Sequence, residues 1–247
     1  MKDRATFRIW RTQQGGGGGF RDYTTAVSDG MVVLDAVHRI QAEQAPDLAV
    51  RWNCKAGKCG SCSAEVNGRP RLMCMTRLSQ VNLDEPVTLE PMRAFPPIKD
   101  LVTDVSWNFA VKKGIRKITP RTPDAPDGTF RVAQRDVDRI QEFRKCIECF
   151  LCQDVCHVLR EHKKFDEFIG PRFFVYAAQL EMNPIDAADR IPDMKEKAGI
   201  GYCNITKCCT KVCPEHIHIT DNAIIPLKER VVSRFYDPVT RLLHMLR

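Results

Sequence analysis

Two cysteine runs in the second half of the chain constrain its fold more than any other feature. Cys146-Ile-Glu-Cys149-Phe-Leu-Cys152-Gln-Asp-Val-Cys156 has the spacing C-x2-C-x2-C-x3-C, by which a pair of cubane iron-sulfur clusters is ligated; three thiolates hold one cluster and the fourth crosses to the other. The second run, Cys203-Asn-Ile-Thr206-Lys-Cys208-Cys209-Thr-Lys-Val-Cys213-Pro214, fits the same template with Thr206 where the middle cysteine belongs. The crossover rule then groups Cys146, Cys149, Cys152 and Cys213 around one cluster and Cys156, Cys203 and Cys209 around the other. A cubane corner without a thiolate tends to lose its iron, so the expectation is [4Fe-4S] for the first and [3Fe-4S] for the second. Cys208 is left over. It can in principle fill the vacant corner, but beside Cys209 it reads as a buried free thiol acting as a small hydrophobe.

A third motif lies in the first half, where Cys54-Lys-Ala-Gly57-Lys-Cys59-Gly60-Ser-Cys62 is followed by Cys74. C-x4-C-x2-C with a distant fourth cysteine is the plant-type [2Fe-2S] spacing. Two irons and two sulfides need four thiolates inside a loop whose N–H groups point at sulfur, and Gly57 and Gly60 let the backbone take the unusual φ/ψ values this requires. Those donors, with Lys55 and Lys58 nearby, favour the reduced cluster. A structural zinc site draws its four cysteines from two C-x2-4-C pairs; only one such pair is present here.

Twelve cysteines in 247 residues would suit a disulfide scaffold only in an oxidising compartment. The N-terminal Met-Lys-Asp-Arg-Ala-Thr-Phe-Arg lacks an apolar secretory core, so a reducing compartment and metal ligation are expected. No run reaches the roughly 18 apolar residues of a membrane span, which suggests a soluble or peripheral protein. The net charge of +7 is spread among acidic residues, as on a solvated surface, and no nucleic-acid partner is expected. The tail after Pro226 is more basic, with Lys228, Arg230, Arg234, Arg241 and Arg247, which is compatible with anionic lipid headgroups.

Ala5–Thr12 alternates Phe7 and Ile9 with charged residues, a half-buried strand. The glycine tract Gly15–Gly19 reads as a hairpin connection, because a phosphate loop would need a following helix and a Lys-Ser/Thr. Phe20–Val27 is the returning strand, and Met31–Gln41 a helix on which His38 is packed or partly exposed. Asn67-Gly68 marks a tight hairpin, and Val87–Pro91 a last strand. Beyond a boundary near residue 105 the pattern is helical: Trp107–Ile115, Asp136–Arg144, Pro171–Met182 and Asp221–Ser233, the last capped by Thr220 or Asp221. On the third of these, Phe173, Phe174, Ala177 and Leu180 are expected to pack the cluster lobes together.

Three unlike clusters make a wire. With no nucleophile-base pair, phosphate loop or dinucleotide fingerprint, no catalytic residue is assigned, and the chemistry at either end belongs to partners. A soluble multi-cluster carrier serving several reductases is the alternative, weighed down by the surface that Trp107–Arg144 and the basic tail add.

The three motifs in this order resemble the iron-sulfur subunit of succinate dehydrogenase and fumarate reductase, over nearly the whole chain. The resemblance implies an α+β protein, with an N-terminal β-grasp ferredoxin-like domain (1–105) and an all-α helical ferredoxin domain (106–247). It implies a place on the cytoplasmic face of the membrane, between a flavoprotein whose FAD interconverts succinate and fumarate and a hydrophobic anchor that binds quinone. In that family the [2Fe-2S] cluster lies nearest the flavin and the [3Fe-4S] cluster nearest the quinone. The chain departs from the pattern after Cys156, where His157-Val158-Leu159-Arg160 replaces a Pro-Ser with a following tryptophan, and at Asn204, a histidine in many relatives. No quinone residue carries over.

Overall fold

The computed structural model of the chain describes residues 3–13 and 17–239; Gly15, Gly16, Arg241 and Arg247 lie outside them. Its strands are β1 Arg4–Thr12, β2 Gly18–Ala26, β3 Ser63–Val66, β4 Arg69–Leu72, β5 Val87–Glu90, β6 Pro97–Lys99 and β7 Val102–Thr103. Its helices are α1 Val33–Glu43, α2 Ser106–Gly114, α3 Gln134–Gln141, α4 Leu151–Asp154, α5 His157–Arg160, α6 Pro171–Glu181, α7 Ile191–Glu196, α8 Cys208–Lys211 and α9 Ile225–Phe235. They fall into two compact units. One is Met1–Val105 with Ile147–Val155, the other Ser106–Cys146 with Cys156–Arg247.

The first unit is a mixed five-stranded sheet in the order β2-β1-β5-β3-β4, with β1 and β5 parallel and the other pairs antiparallel. Strand alternation sends Ala5, Phe7, Ile9 and Arg11 of β1 inward. Buried Arg11 is answered by Asp100 at 3.1 Å and the Tyr23 hydroxyl at 2.6 Å. From α1, Val33, Leu34, Val37 and Ile40 complete this core. Asn67 and Gly68, with φ of 50° and 69°, form the tight turn that pairs β3 with β4. This order with one main helix is the β-grasp arrangement. His38 stacks edge-on against Trp52 at 4.7 Å.

The second unit is helical. Pro171 opens α6, where a missing N–H costs nothing, and Phe173, Phe174 and Ala177 are fully buried while Leu180 is half-buried. The helix packs on the turn Glu142–Lys145 and on the π-helical stretch Ile219–Ile224, so it braces the chain entering Cys146 and the chain leaving Cys213. The expected helix from Asp221 starts instead as this π-helical stretch and becomes α-helical at Ile225. Pro226, which lacks an N–H, falls in the first α turn. Neither Thr220 nor Asp221 caps it: the buried Thr220 hydroxyl meets that of Thr210 at 3.2 Å, and Asp221 pairs with Lys207 at 2.7 Å.

Candidate metal centres

In the first unit, Cys54, Cys59 and Cys62 sit in an irregular loop between Trp52 and β3, and Cys74 closely follows β4. Lys55, Gly57 and Gly60 have φ of 52°, 68° and 69°, so the loop is wound through the left-handed region three times in six residues. That winding turns N–H groups toward sulfur. Ala56 and Lys58 donate to Cys54 Sγ at 3.4 and 3.3 Å, and Cys74 donates to Cys62 Sγ at 3.4 Å. Burial pushes the Cys62 thiol up to about 12, with Cys74 and Cys59 as charged neighbours. Burial also raises Cys59, but hydrogen bonds from Ser61 and Cys54 outweigh it and bring that thiol down to about 6.

No three His, Cys, Asp or Glu side chains among the described residues converge as one metal ion would require, so the fit is judged from the surroundings of the sulfurs. Neighbouring thiols with N–H groups aimed at them, in a loop of left-handed turns, fit a [2Fe-2S] cluster. Lys55 lies 4.9 Å over the Trp52 ring, which holds one cation at this loop.

The same unit contains Cys149 and Cys152, both buried. A Cβ on Gly60 would fall 2.6 Å from Cys149 Cα and 3.0 Å from its N, so the bare backbone of the [2Fe-2S] loop lies against the backbone of the first run. The Ser63 hydroxyl is 2.9 Å from the carbonyl oxygens of both Gly60 and Cys149. The bare backbone at Gly60 thus makes room for another cysteine.

Two residues after Cys152, Asp154 is wholly buried, and its Oδ1 accepts the Ala94 N–H at 2.9 Å. Burial, with the Glu65 charge beside it, pushes the Asp154 carboxyl up to about 8. Glu65, raised by the same burial, is held by Arg93 at 2.8 Å. Asp154 therefore carries the proton at neutral pH and donates it to Glu65. An acid raised on folding binds its proton more tightly in the native state, so the stability this carboxyl contributes is lost as pH rises from the usual carboxylate range through about 8. Asp154→Asn keeps a donor toward Glu65 and removes the titration. Thermal melts should show the variant more stable than wild type at pH 8, with the gain shrinking steadily toward pH 4; an equal gain at both would exclude titration as the cause.

In the second unit, Cys146 and Cys213 are neighbours: burial raises the Cys213 thiol, and Cys146 adds to the rise. Cys213 Sγ accepts the Ile217 N–H at 3.4 Å. Cys156, Cys203, Cys208 and Cys209 line one small cavity with Phe168 and Ile224. Burial pushes the Cys156 thiol up to about 11, with Cys208 and Cys203 as its charged neighbours. Cys208 departs from expectation. It is partly exposed rather than buried, it accepts a hydrogen bond from Thr206 Oγ1 at 3.3 Å, and bonds from Cys209, Thr206 and His157 bring its thiol down to about 5.

The two runs repeat each other in backbone. Glu148 and Phe150, on either side of Cys149, have φ of 55° and 61°; Ile205 and Lys207, on either side of Thr206, have 62° and 60°. A short helix follows each, α4 from Leu151 and α8 from Cys208. Thr206 thus occupies the conformational place of Cys149. Lys228 Nζ donates to the Cys203 carbonyl at 2.5 Å, Arg230 bonds the Pro226 carbonyl at 3.2 Å, and Arg234 pairs with Asp189 at 2.5 Å. The described basic residues of the tail are engaged within their own unit.

Residues 6–110 match the model of the 2Fe-2S iron-sulfur cluster binding domain, and residues 142–217 that of the 4Fe-4S dicluster domain. The chain is 32% identical over 202 residues to the fumarate reductase iron-sulfur subunit of Mycobacterium tuberculosis, covering 80% of each. It is 26% identical over 207 residues to the succinate dehydrogenase iron-sulfur subunit of Paracoccus denitrificans, covering 83% of this chain and 78% of that one. Some methanogen relatives are longer, and the match covers 40% of a fumarate reductase (CoM/CoB) polypeptide from Methanothermobacter marburgensis. Among solved structures, a chain of the Mycobacterium smegmatis Sdh1 complex in the apo form is similar with a TM-score of 0.92 and 59% identity, over 97% of this chain and 100% of that chain. Fold and thiols together define an iron-sulfur protein that joins a plant-type ferredoxin domain to a dicluster domain. The chain belongs to the family of fumarate reductase and succinate dehydrogenase iron-sulfur subunits.

Proposed function

We propose that the chain is the electron-transfer subunit of a succinate:quinone or quinol:fumarate oxidoreductase, wiring the flavin of a partner flavoprotein to quinone at a hydrophobic anchor subunit. Family membership supports the electron-transfer role within an oxidoreductase. The observation that carries the cluster assignment is the repeated backbone, which supports reading Thr206 as the counterpart of a ligand cysteine. On this reading residues 1–105 hold [2Fe-2S] through Cys54, Cys59, Cys62 and Cys74. Residues 106–247 hold [4Fe-4S] through Cys146, Cys149, Cys152 and Cys213, and [3Fe-4S] through Cys156, Cys203 and Cys209, with Ile147–Val155 packed in the first unit.

Bound clusters supply one-electron redox chemistry. The chain's own part is to hold them as thiolates, to aim N–H groups at sulfur so that added negative charge is favoured, and to bury most of the ligand cysteines from water. Lys228, fixed on the Cys203 carbonyl, brings a positive charge to the second run and acts in the same direction. Attachment at the cytoplasmic face of the membrane through the anchor is part of the same proposal. No helix among the described residues is long and apolar enough to cross a membrane.

Iron and acid-labile sulfide analysis with low-temperature EPR of the purified complex tests the reading. The oxidised protein is expected to give a [3Fe-4S] signal, and succinate should reduce the clusters through the flavoprotein. Two cubanes with no oxidised-state signal would overturn the ligand assignment.

A further inference from the structure

The cavity at the second run has one more sulfur than a three-iron cluster uses. Cys156, Cys203 and Cys209 line it, and so do Cys208 and Thr206. By backbone position Thr206 stands at the missing corner, and its hydroxyl donates to Cys208 Sγ at 3.3 Å. That bond keeps the Cys208 sulfur beside the corner Thr206 leaves open. In the first run the matching first helical residue is Leu151, buried and unable to bind iron, so the extra thiol is particular to this run. Thiolate is the ligand type that retains iron at a cubane corner.

Resting on the proposed ligand assignment, we infer that Cys208 is a reserve fourth ligand, so that the [3Fe-4S] centre takes up ferrous iron and becomes [4Fe-4S]. The oxidised [3Fe-4S]1+ core accepts one electron from a one-electron reductant and binds one Fe2+, giving a [4Fe-4S]2+ core; the Cys208 S–H bond breaks, its proton leaves to solvent, and an S–Fe bond forms. Iron uptake would silence the oxidised-state signal and close the corner.

The purified oxidised complex is incubated anaerobically with ferrous ammonium sulfate and dithionite, freed of excess iron, reoxidised mildly, and examined by EPR and iron analysis. Wild type is expected to lose the three-iron signal and gain one iron per chain, whereas Cys208→Ser keeps both unchanged. Equal conversion in the variant, or no uptake by wild type that begins with the signal, overturns the inference and leaves the ligand assignment standing. Absence of the signal from wild type at the outset overturns both. A second measurement needs no variant: Cys208 should be alkylated by iodoacetamide in the three-iron form and protected after iron uptake, by peptide mass spectrometry. Equal labelling before and after counts against it.

Discussion

Gly60→Ala is expected to lower the apparent Tm by roughly 5–15 °C and to strip iron from the N-terminal loop, because two costs coincide at this residue. A left-handed φ of 69° costs a non-glycine residue about 1–2 kcal/mol. The new methyl group would also fall 2.6 Å from Cys149 Cα, where the obstacle is backbone and has no rotamer to change. Overpacking of that kind adds about 1–3 kcal/mol. Gly68→Ala is the control, since Gly68 has the same φ of 69° and open space where its Cβ would stand. It should show the conformational cost alone. Equal losses in the two variants, by thermal melts and iron content, would mean that the approach to Cys149 is not what requires glycine at residue 60.

Arg190→Met is expected to destabilise the helical unit by about 3–5 kcal/mol, the usual cost of stranding one partner of a buried ion pair. Arg190 and Asp186 are each 1% exposed and 2.7 Å apart. The guanidinium also bonds the carbonyl oxygens of Arg116 at 2.8 Å and Lys117 at 2.7 Å. Asp186 in turn accepts the N–H groups of Thr119 and Ala188 at 3.0 and 2.9 Å. The pair therefore pins the proline-rich segment near Thr119, which has little regular structure of its own, to the loop after α6. Adding Asp186→Asn removes the stranded charge while keeping an acceptor, so the double variant should recover part of the loss. A double variant as unstable as the sum of the single ones would rule out the ion pair as the cause.

The strands and the cluster motifs are legible in the sequence because each is a local pattern. Phe7 and Ile9 announce β1 by alternation, Asn67-Gly68 announces its turn by chemistry, and the cysteine spacings point to the 2Fe-2S and 4Fe-4S domains without reference to the rest of the chain. What the spacing leaves out is non-local. Nothing in Ile147–Val155 says that it packs with the N-terminal sheet; that depends on Gly60 and Ser63, almost ninety residues earlier. Glu65 and Asp154 look like surface carboxylates until the fold buries both. Thr220 looks like a helix cap until Thr210 claims its hydroxyl. Cys208 escapes a spacing argument because adjacency to Cys209 suggests that it faces elsewhere, whereas the turn at Lys207 brings both into one cavity.

The left-handed pair around Thr206 bears on what the second run asks of its backbone. Ile205 is β-branched and Lys207 is long, and neither takes a φ near 60° without a penalty of about 1–2 kcal/mol. They take it although the residue they flank is not a thiol. The polypeptide therefore holds strained backbone on both sides of Thr206, as it does on both sides of Cys149. On the proposed ligand assignment, the number of irons at this end depends on single side chains set in that backbone.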